Sequence, residues 1–286
     1  MTVGVTSVVR DEIDGFPMSQ SVDLYGTAYG NFATEILEQV RRETYGEDFG
    51  QSSWVTGREY RRFFGLLELA TAEHVLDVGC GSGGPALFLA SEIGCRVTGV
   101  DVNVAGIQAG QTLARQAGLD DKVHLRRADV REPLPFRDGS FDAIVCMDAM
   151  CHLPDRGRLL GEWRRVLRPG GRLLYTDPVV VTGLVSNEEL ATRSSTGYFE
   201  FCPPGVNERL IGLMGFELVR TEDVTQNEVE VSRRWHVARQ QRAAELIRLE
   251  GEATFAGLQR FLATVYRLTS ERRLSRFVYL GRKQGE

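Results

Sequence analysis

Apolar residues fall along this chain in two alternating rhythms. Short, largely apolar runs occur at 75–78, 96–100, 123–128, 141–147, 172–176 and 216–221, most of them closed by glycine or aspartate. Runs of that length without a polar face predict strands buried on both sides. Between them lie stretches of helical period. One opens with Pro85 at 85–90, one runs over 104–119 with Gly118 near its end, and one covers 207–214. Another spans 155–167, with Leu159, Leu160, Trp163, Val166 and Leu167 on a single stripe and Pro169-Gly170-Gly171 to stop it. Strand and helix in strict alternation predict an α/β fold, a doubly wound sheet with helices on both faces.

The flanks follow other patterns. Residues 1–22 carry no period and read as a loose arm. From 25 to 45 one amphipathic helix is expected, with Phe32, Ile36, Leu37 and Val40 on its stripe and Asn31 as a cap. A break at 46–50 precedes a second helix bearing Tyr60, Phe63, Phe64, Leu66 and Leu67. Late in the chain, Val231, Trp235, Ala238, Leu246 and Leu249 form one helical stripe, and Phe255, Leu258, Leu262 and Val265 another. Gly251 lies between them, as in a hairpin of two helices, and 276–280 supplies a last strand. The expected division is an arm and helical lid at 1–70 and a core at 71–178. The remainder at 179–286 completes the core and adds cap insertions at about 179–204 and 225–272.

The chemistry gathers where the first strand ends. Val75-Leu-Asp-Val-Gly-Cys-Gly-Ser-Gly-Gly84 runs from strand into a glycine turn and then a helix N-terminus. Glycine lets backbone turn sharply and lie directly against a ligand, and the helix start offers free N–H groups. Gly79, Gly81 and Gly84 fit G-x-G-x-x-G, and Asp101 closes the next strand where a ribose diol would meet it. A cofactor containing a nucleoside follows, though the turn alone does not say which. Asp129, Asp148 and Asp177 fall at the ends of later strands, the edge where such sheets bind ligands. Asp77 is expected to brace the turn through its N–H groups.

Bulk properties narrow the partners. The 286 residues carry a net charge of −5, so no basic field recruits nucleic acid or an anionic membrane. No apolar run approaches the roughly 20 residues that span a bilayer, and charges at Arg10, Asp11, Glu12 and Asp14 interrupt the start of the chain. Five cysteines, with no C-x-x-C pair, suit buried reduced thiols and a cytoplasmic setting. No metal-ligand spacing is present, so no metal is expected.

Taken together, the motifs resemble those of the class I S-adenosylmethionine (SAM)-dependent methyltransferases. Val75–Gly83 is similar to their glycine-rich first motif, Val97-Thr-Gly-Val-Asp101 to their second, and Ala128-Asp129-Val130 to their third. Pro135–Asp142 and Leu167–Leu173 match the segments around strands four and five. The resemblance covers about residues 70 to 180 and implies a Rossmann-like sheet of seven strands, the last antiparallel. The long N-terminal extension and late helices resemble the small-molecule branch, which includes sarcosine/dimethylglycine and phosphoethanolamine N-methyltransferases and natural-product sugar O-methyltransferases. That implies SAM as cofactor, S-adenosyl-L-homocysteine as product, a small O- or N-nucleophile as acceptor, and a homodimer as one assembly open to the chain. A SAM-binding protein that regulates, or that catalyses a reaction without methyl transfer, is the alternative.

The resemblance distributes roles. Asp101 takes the ribose hydroxyls with Val102 beside it, and Asp129 and Val130 meet the adenine. Gly79, Cys80, Gly81 and Met147 border the cofactor, while Gln51, Ser53 and Trp54 lie in a lid segment over it. Methyl transfer is an in-line displacement, in which the protein aligns the nucleophile and excludes water. A base is needed only for an acceptor whose proton must leave. His152, after strand four, is the candidate base, and Asp177 its acidic partner. Tyr25, Tyr29, Tyr198, Trp235 and His236 are candidates for the acceptor pocket.

Overall fold

The computed structural model describes residues 22–285; the expected loose arm falls almost wholly outside them. All seven strands form: β1 His74–Val78, β2 Arg96–Asp101, β3 Val123–Arg127, β4 Phe141–Cys146, β5 Leu167–Val181, β6 Phe216–Asp223 and β7 Leu274–Lys283. They lie in one sheet in the order β3-β2-β1-β4-β5-β7-β6. Strands β1 to β5 pair in parallel, and β7 runs antiparallel between β5 and β6.

Alternation along each strand divides the core in two. Val75, Val97, Ala143, Val145, Leu174, Val278 and Leu280 face α3 (Gly57–Gly65), α4 (Gly84–Phe88) and α5 (Val104–Gln116). Leu76, Val78, Val100, Ile144, Cys146, Leu173, Tyr175 and Tyr279 face α6 (Arg156–Val166) and α8 (Val206–Leu213). Period two places successive side chains on opposite faces, so the central strands are buried at both parities, while the edge strands β3 and β6 are exposed at several positions.

Helices α1 (Leu24–Gly30) and α2 (Glu35–Tyr45) join α9 (Thr225–Gln241), α10 (Ala243–Glu250) and α11 (Glu252–Ser270) in a cap with its own apolar clusters. Three expectations change here. The stretch 25–45 is two helices: Asn31 ends α1, its side chain returning to the Thr27 carbonyl, and Thr34 begins α2. The late pattern is three helices, because Arg242 breaks the first stripe and Gly251 the second. Helix α6 stops at Val166, one residue short of the expected end, and β5 opens at Leu167, which already pairs with Phe141 of β4, rather than at Arg172. Proline keeps the residue before it out of helical backbone, so the chain is extended by Arg168.

Candidate active site

Strand β1 delivers the glycine turn to the ligand edge of the sheet. Gly79, Gly81 and Gly83 have φ of +70°, +52° and +80°, backbone that other residues adopt only with strain. A Cβ on Gly79 would strike the Ala149 methyl, and one on Gly81 the Tyr29 hydroxyl. The N–H groups of Gly79 and Cys80 both donate to the Val100 carbonyl, at 2.9 and 3.1 Å. Those of Gly81 and Asn103 donate to the two oxygens of Asp101, each at 2.8 Å. The turn is thereby clasped to the end of β2, and each Asp101 oxygen keeps acceptor capacity. Burial raises the Asp101 pKa while those N–H groups oppose it. Val102 beside it is 52% exposed.

Within the turn the Gly81 N–H goes to Asp101 rather than to Asp77. Asp77 is fully buried beneath the turn, where the backbone N–H of Ala86 in α4 opposes the effect of burial on its carboxyl. Burial, with the Asp101 charge adding to it, pushes its pKa up to about 8. Left-handed glycines, a carboxylate with spare lone pairs and a buried acid beneath them fit the amino-acid and ribose ends of a nucleoside cofactor. Asp129 is half-exposed, and Arg131 grips its carboxylate, holding its pKa low. Val130 and Met147 are buried.

The lid segment lies over this turn. The Ser82 hydroxyl donates to the Gly50 carbonyl, and a Cβ on Gly84 would meet the Gln51 Cα at 2.9 Å. Gln51 spends its amide inside its own loop, on the Phe49 N–H and the Glu47 carbonyl. Trp54 donates its N–H to Asp148 at 2.8 Å, and the Ser53 carbonyl accepts from Tyr45. Asp148 itself has φ of +56°, a strained position at the end of β4.

His152 follows Asp148 on a short helical turn. Its Nδ1–H donates to the Tyr198 carbonyl and its Nε2 accepts from the Tyr25 hydroxyl, both at 2.9 Å. The carbonyl can only accept, so the proton belongs on Nδ1 and the lone pair on Nε2. Burial dominates and depresses the histidine pKa to about 4. Phe199 packs edge-on against the ring at 4.3 Å. A cavity of about 330 Å³ is lined here by Tyr25, Ser53, Trp54, His152 and Trp235, together with Asp148 and Arg193. Tyr29 instead covers the glycine turn and borders an adjoining cavity of about 500 Å³ that Gln51 and Trp235 also line.

Three candidates lie elsewhere. Asp177 shares the face of Tyr175, and there it meets Arg156 of α6 and Asn207 of α8, which bind its carboxylate. It is not the hydrogen-bond partner of His152. Tyr198 contributes its carbonyl, while its ring is 54% exposed and bonded to Glu200. His236 lines neither cavity, and its carbonyl accepts from Gln259. Sequence reasoning missed a buried layer of charge under the lid. Arg276 of β7 donates to Asp148 at 2.7 Å and to both oxygens of Glu59 in α3, and Arg193 and Glu228 lie near it. The available signal was parity: Arg276 occupies a position that Val278 and Leu280 mark as core-facing.

A seven-stranded sheet with this glycine turn and strand-end acid defines a Rossmann-like methyltransferase fold. The family model described as a methyltransferase domain matches residues 76–175. The 27-O-demethylrifamycin SV methyltransferase of Amycolatopsis mediterranei is 31% identical over 213 residues, covering 70% of this chain and 76% of that protein. The sarcosine/dimethylglycine N-methyltransferase of Halorhodospira halochloris is 29% identical over 224 residues, 75% of each. Phosphoethanolamine N-methyltransferase 2 of Haemonchus contortus, solved with S-adenosyl-L-methionine, superposes with a TM-score of 0.76 at 20% identity, over 94% of this chain and 62% of that one. The chain belongs to the methyltransferase-domain family and is a SAM-dependent enzyme acting on a small molecule. Among the described residues no helix is long and apolar enough to cross a membrane.

Proposed function

We propose that this enzyme methylates an oxygen or nitrogen of an acceptor held beside His152, under the aromatic side chains of Tyr25 and Trp54. The observation that carries the reading is the fixed tautomer of His152, with Nδ1–H tied to a carbonyl and Nε2 facing a hydroxyl. When bound, SAM supplies an electrophilic methyl carbon on a sulfonium. Asp101 would hold its ribose, the Gly79–Gly81 backbone its amino-acid end, and Val102, Asp129 and Val130 would border the adenine.

The chain's own task is alignment and proton removal. An acceptor hydroxyl taking the place of the Tyr25 hydroxyl would find the same lone pair on Nε2. Burial keeps that nitrogen unprotonated at neutral pH, so its lone pair is free to accept, while the same lowering weakens it as a base. A neutral amine would need only the position. The lid loop and the cap exclude water from this corner. A cytoplasmic setting and no nucleic-acid partner go with this proposal, the latter supported by the net charge of −5, with a homodimer as one assembly open to the chain.

The test is His152→Ala against a panel of hydroxylated and amine acceptors, following S-adenosylhomocysteine release. Turnover should fall by about a hundredfold or more for a hydroxyl acceptor, with the SAM dissociation constant within twofold of wild type. Unchanged turnover removes His152 from the chemistry. Binding of SAM with no S-adenosylhomocysteine formed from any acceptor would favour the non-methylating alternative.

A further inference from the structure

Four arginines are almost fully buried: Arg156, Arg193, Arg239 and Arg276. Three of them are bonded. Arg156 reaches Asp177 and Asn207, Arg239 reaches Glu250, and Arg276 reaches Asp148 and Glu59. Arg193, on α7 (Asn187–Arg193), is 1% exposed, and none of its three nitrogens has a hydrogen-bond partner among the described residues. An arginine keeps its charge and offers five N–H donors in a flat fork. Burying that fork unmet is costly, so the position calls for an acceptor.

Arg193 lines the His152 cavity. Aromatic rings surround it: Phe199 lies 4.4 Å, Phe261 5.2 Å and Trp54 5.9 Å from its central carbon. The nearest carboxylate is Glu228, 3.9 Å away, and neither of its oxygens has a hydrogen-bond partner among the described residues. The pair is thus close but not bonded. Burial also pushes the Glu228 pKa up to about 8, which leaves it mostly protonated at neutral pH and the Arg193 charge without a full counterion. None of the residues Gly79 to Gly84 lines this cavity, so it lies on the acceptor side of the site.

We propose that Arg193 is the acceptor-binding residue of this enzyme and that it selects small molecules bearing an oxyanion, a carboxylate or a phosphate, which its fork grips between aromatic walls. The proposal rests on the methyltransferase reading of the same cavity and deepens it. Glu228 lies at the guanidinium without bonding it, and the ligand's oxyanion takes the open donors. A planar carboxylate matches the fork in two parallel hydrogen bonds, and flat rings on either side suit an acid with an aromatic or extended body.

The experiment uses the full chain saturated with S-adenosylhomocysteine, whose own affinity is measured first by calorimetry. Benzoate, its uncharged counterpart benzamide, and inorganic phosphate are then titrated into wild type, R193M, R193K and E228Q. Benzoate or phosphate should bind wild type and raise its melting temperature, and benzamide should not; which anion binds more tightly separates the two sources of the oxyanion. R193M should weaken anion binding by about thirtyfold or more, while S-adenosylhomocysteine binds within twofold. R193K, which keeps a charge but not the fork, should fall between and guards against a folding defect. E228Q, an isostere of the protonated acid, should leave anion binding within about twofold of wild type, whereas loss of a true ion-pair partner of Arg193 would shift it. Two results overturn the proposal: no preference of wild type for the anions over benzamide, or an R193M defect in S-adenosylhomocysteine affinity rather than in anion binding. Loss of S-adenosylhomocysteine binding by wild type would instead overturn the cofactor reading beneath it.

Discussion

Arg276 ties three separate parts of the chain together, and its removal is the sharpest test of the buried charge layer. It is fully buried on β7, with one nitrogen on Asp148 after β4 and another on Glu59 of the lid helix α3. In Arg276→Met both carboxylates lose their cation. Asp148 keeps Thr176 and the Trp54 N–H as donors, and Glu59 keeps Asn227. Breaking a buried pair costs about 3–5 kcal/mol when the surviving charge is stranded. The retained donors place this case near the lower end, about 3 kcal/mol. For a chain of this size that is a fall of roughly 6–12 °C in melting temperature. The cost should depend on pH. Glu59 is pushed up to about 7 by burial even with the arginine present, so in the variant it escapes the penalty by taking a proton. Thermal unfolding by circular dichroism at pH 5.5 and pH 8 should therefore give a smaller loss at the lower pH, and Glu59→Gln should recover part of the loss at pH 8. A loss below about 1 kcal/mol at pH 8, or one equal at both pH values, would refute the assignment of charge to this layer.

Other expected outcomes follow from the same geometry. Asp101→Ala should weaken SAM binding by about tenfold or more in calorimetry, since it removes a charged acceptor from the ribose position and frees the Gly81 N–H; an unchanged dissociation constant would move the ribose elsewhere. Stability should fall as pH rises from about 5 to 8. Asp77, Glu59 and Glu228 hold their protons more tightly folded than unfolded across that window, whereas His152, lowered to about 4, favours the fold with rising pH only up to about 6.5. A melting temperature that climbs steadily to pH 8 would contradict this. Ser186→Ala should cost about 1 kcal/mol by removing the capping box with Glu189 at the start of α7, and denaturant unfolding would reveal it.

The central strands were legible because a strand buried on both faces is apolar over most of its length, and few loops imitate that; the edge strands β3 and β6, exposed at several positions, were legible from their place in the alternation. The glycine turn and Asp101 were legible for a related reason: sharp backbone and a strand-end acid leave few other residues able to serve. The cap was harder. Phe32, Ile36 and Val40 continue one helical stripe from Tyr25, and nothing in periodicity reports that Asn31 turns the chain between them. Helix α7 was missed although Ser186 and Glu189 carry its capping signature. The buried charges were missed because their meaning depends on partners far away in sequence. Arg276 and Glu59 are 217 residues apart, and Arg193 matters for what it does not touch. His152 was singled out from the sequence, but its hydrogen-bond partners Tyr25 and Tyr198 were not paired with it: Asp177 shares the Tyr175 face of β5 and meets Arg156 and Asn207 instead.

The position of β7 has a consequence for how the molecule is made. Because β7 lies between β5 and β6, β6 has no neighbour in the sheet until residues beyond 274 have left the ribosome. The glycine-turn half can assemble during synthesis from contacts close in sequence, while β6 waits as an unpaired edge. Arg276 arrives with that same strand, so the Asp148 carboxylate and the lid beneath which it lies acquire their cation last. A ribosome stalled short of β7 would thus display a cofactor cradle without its fastened roof.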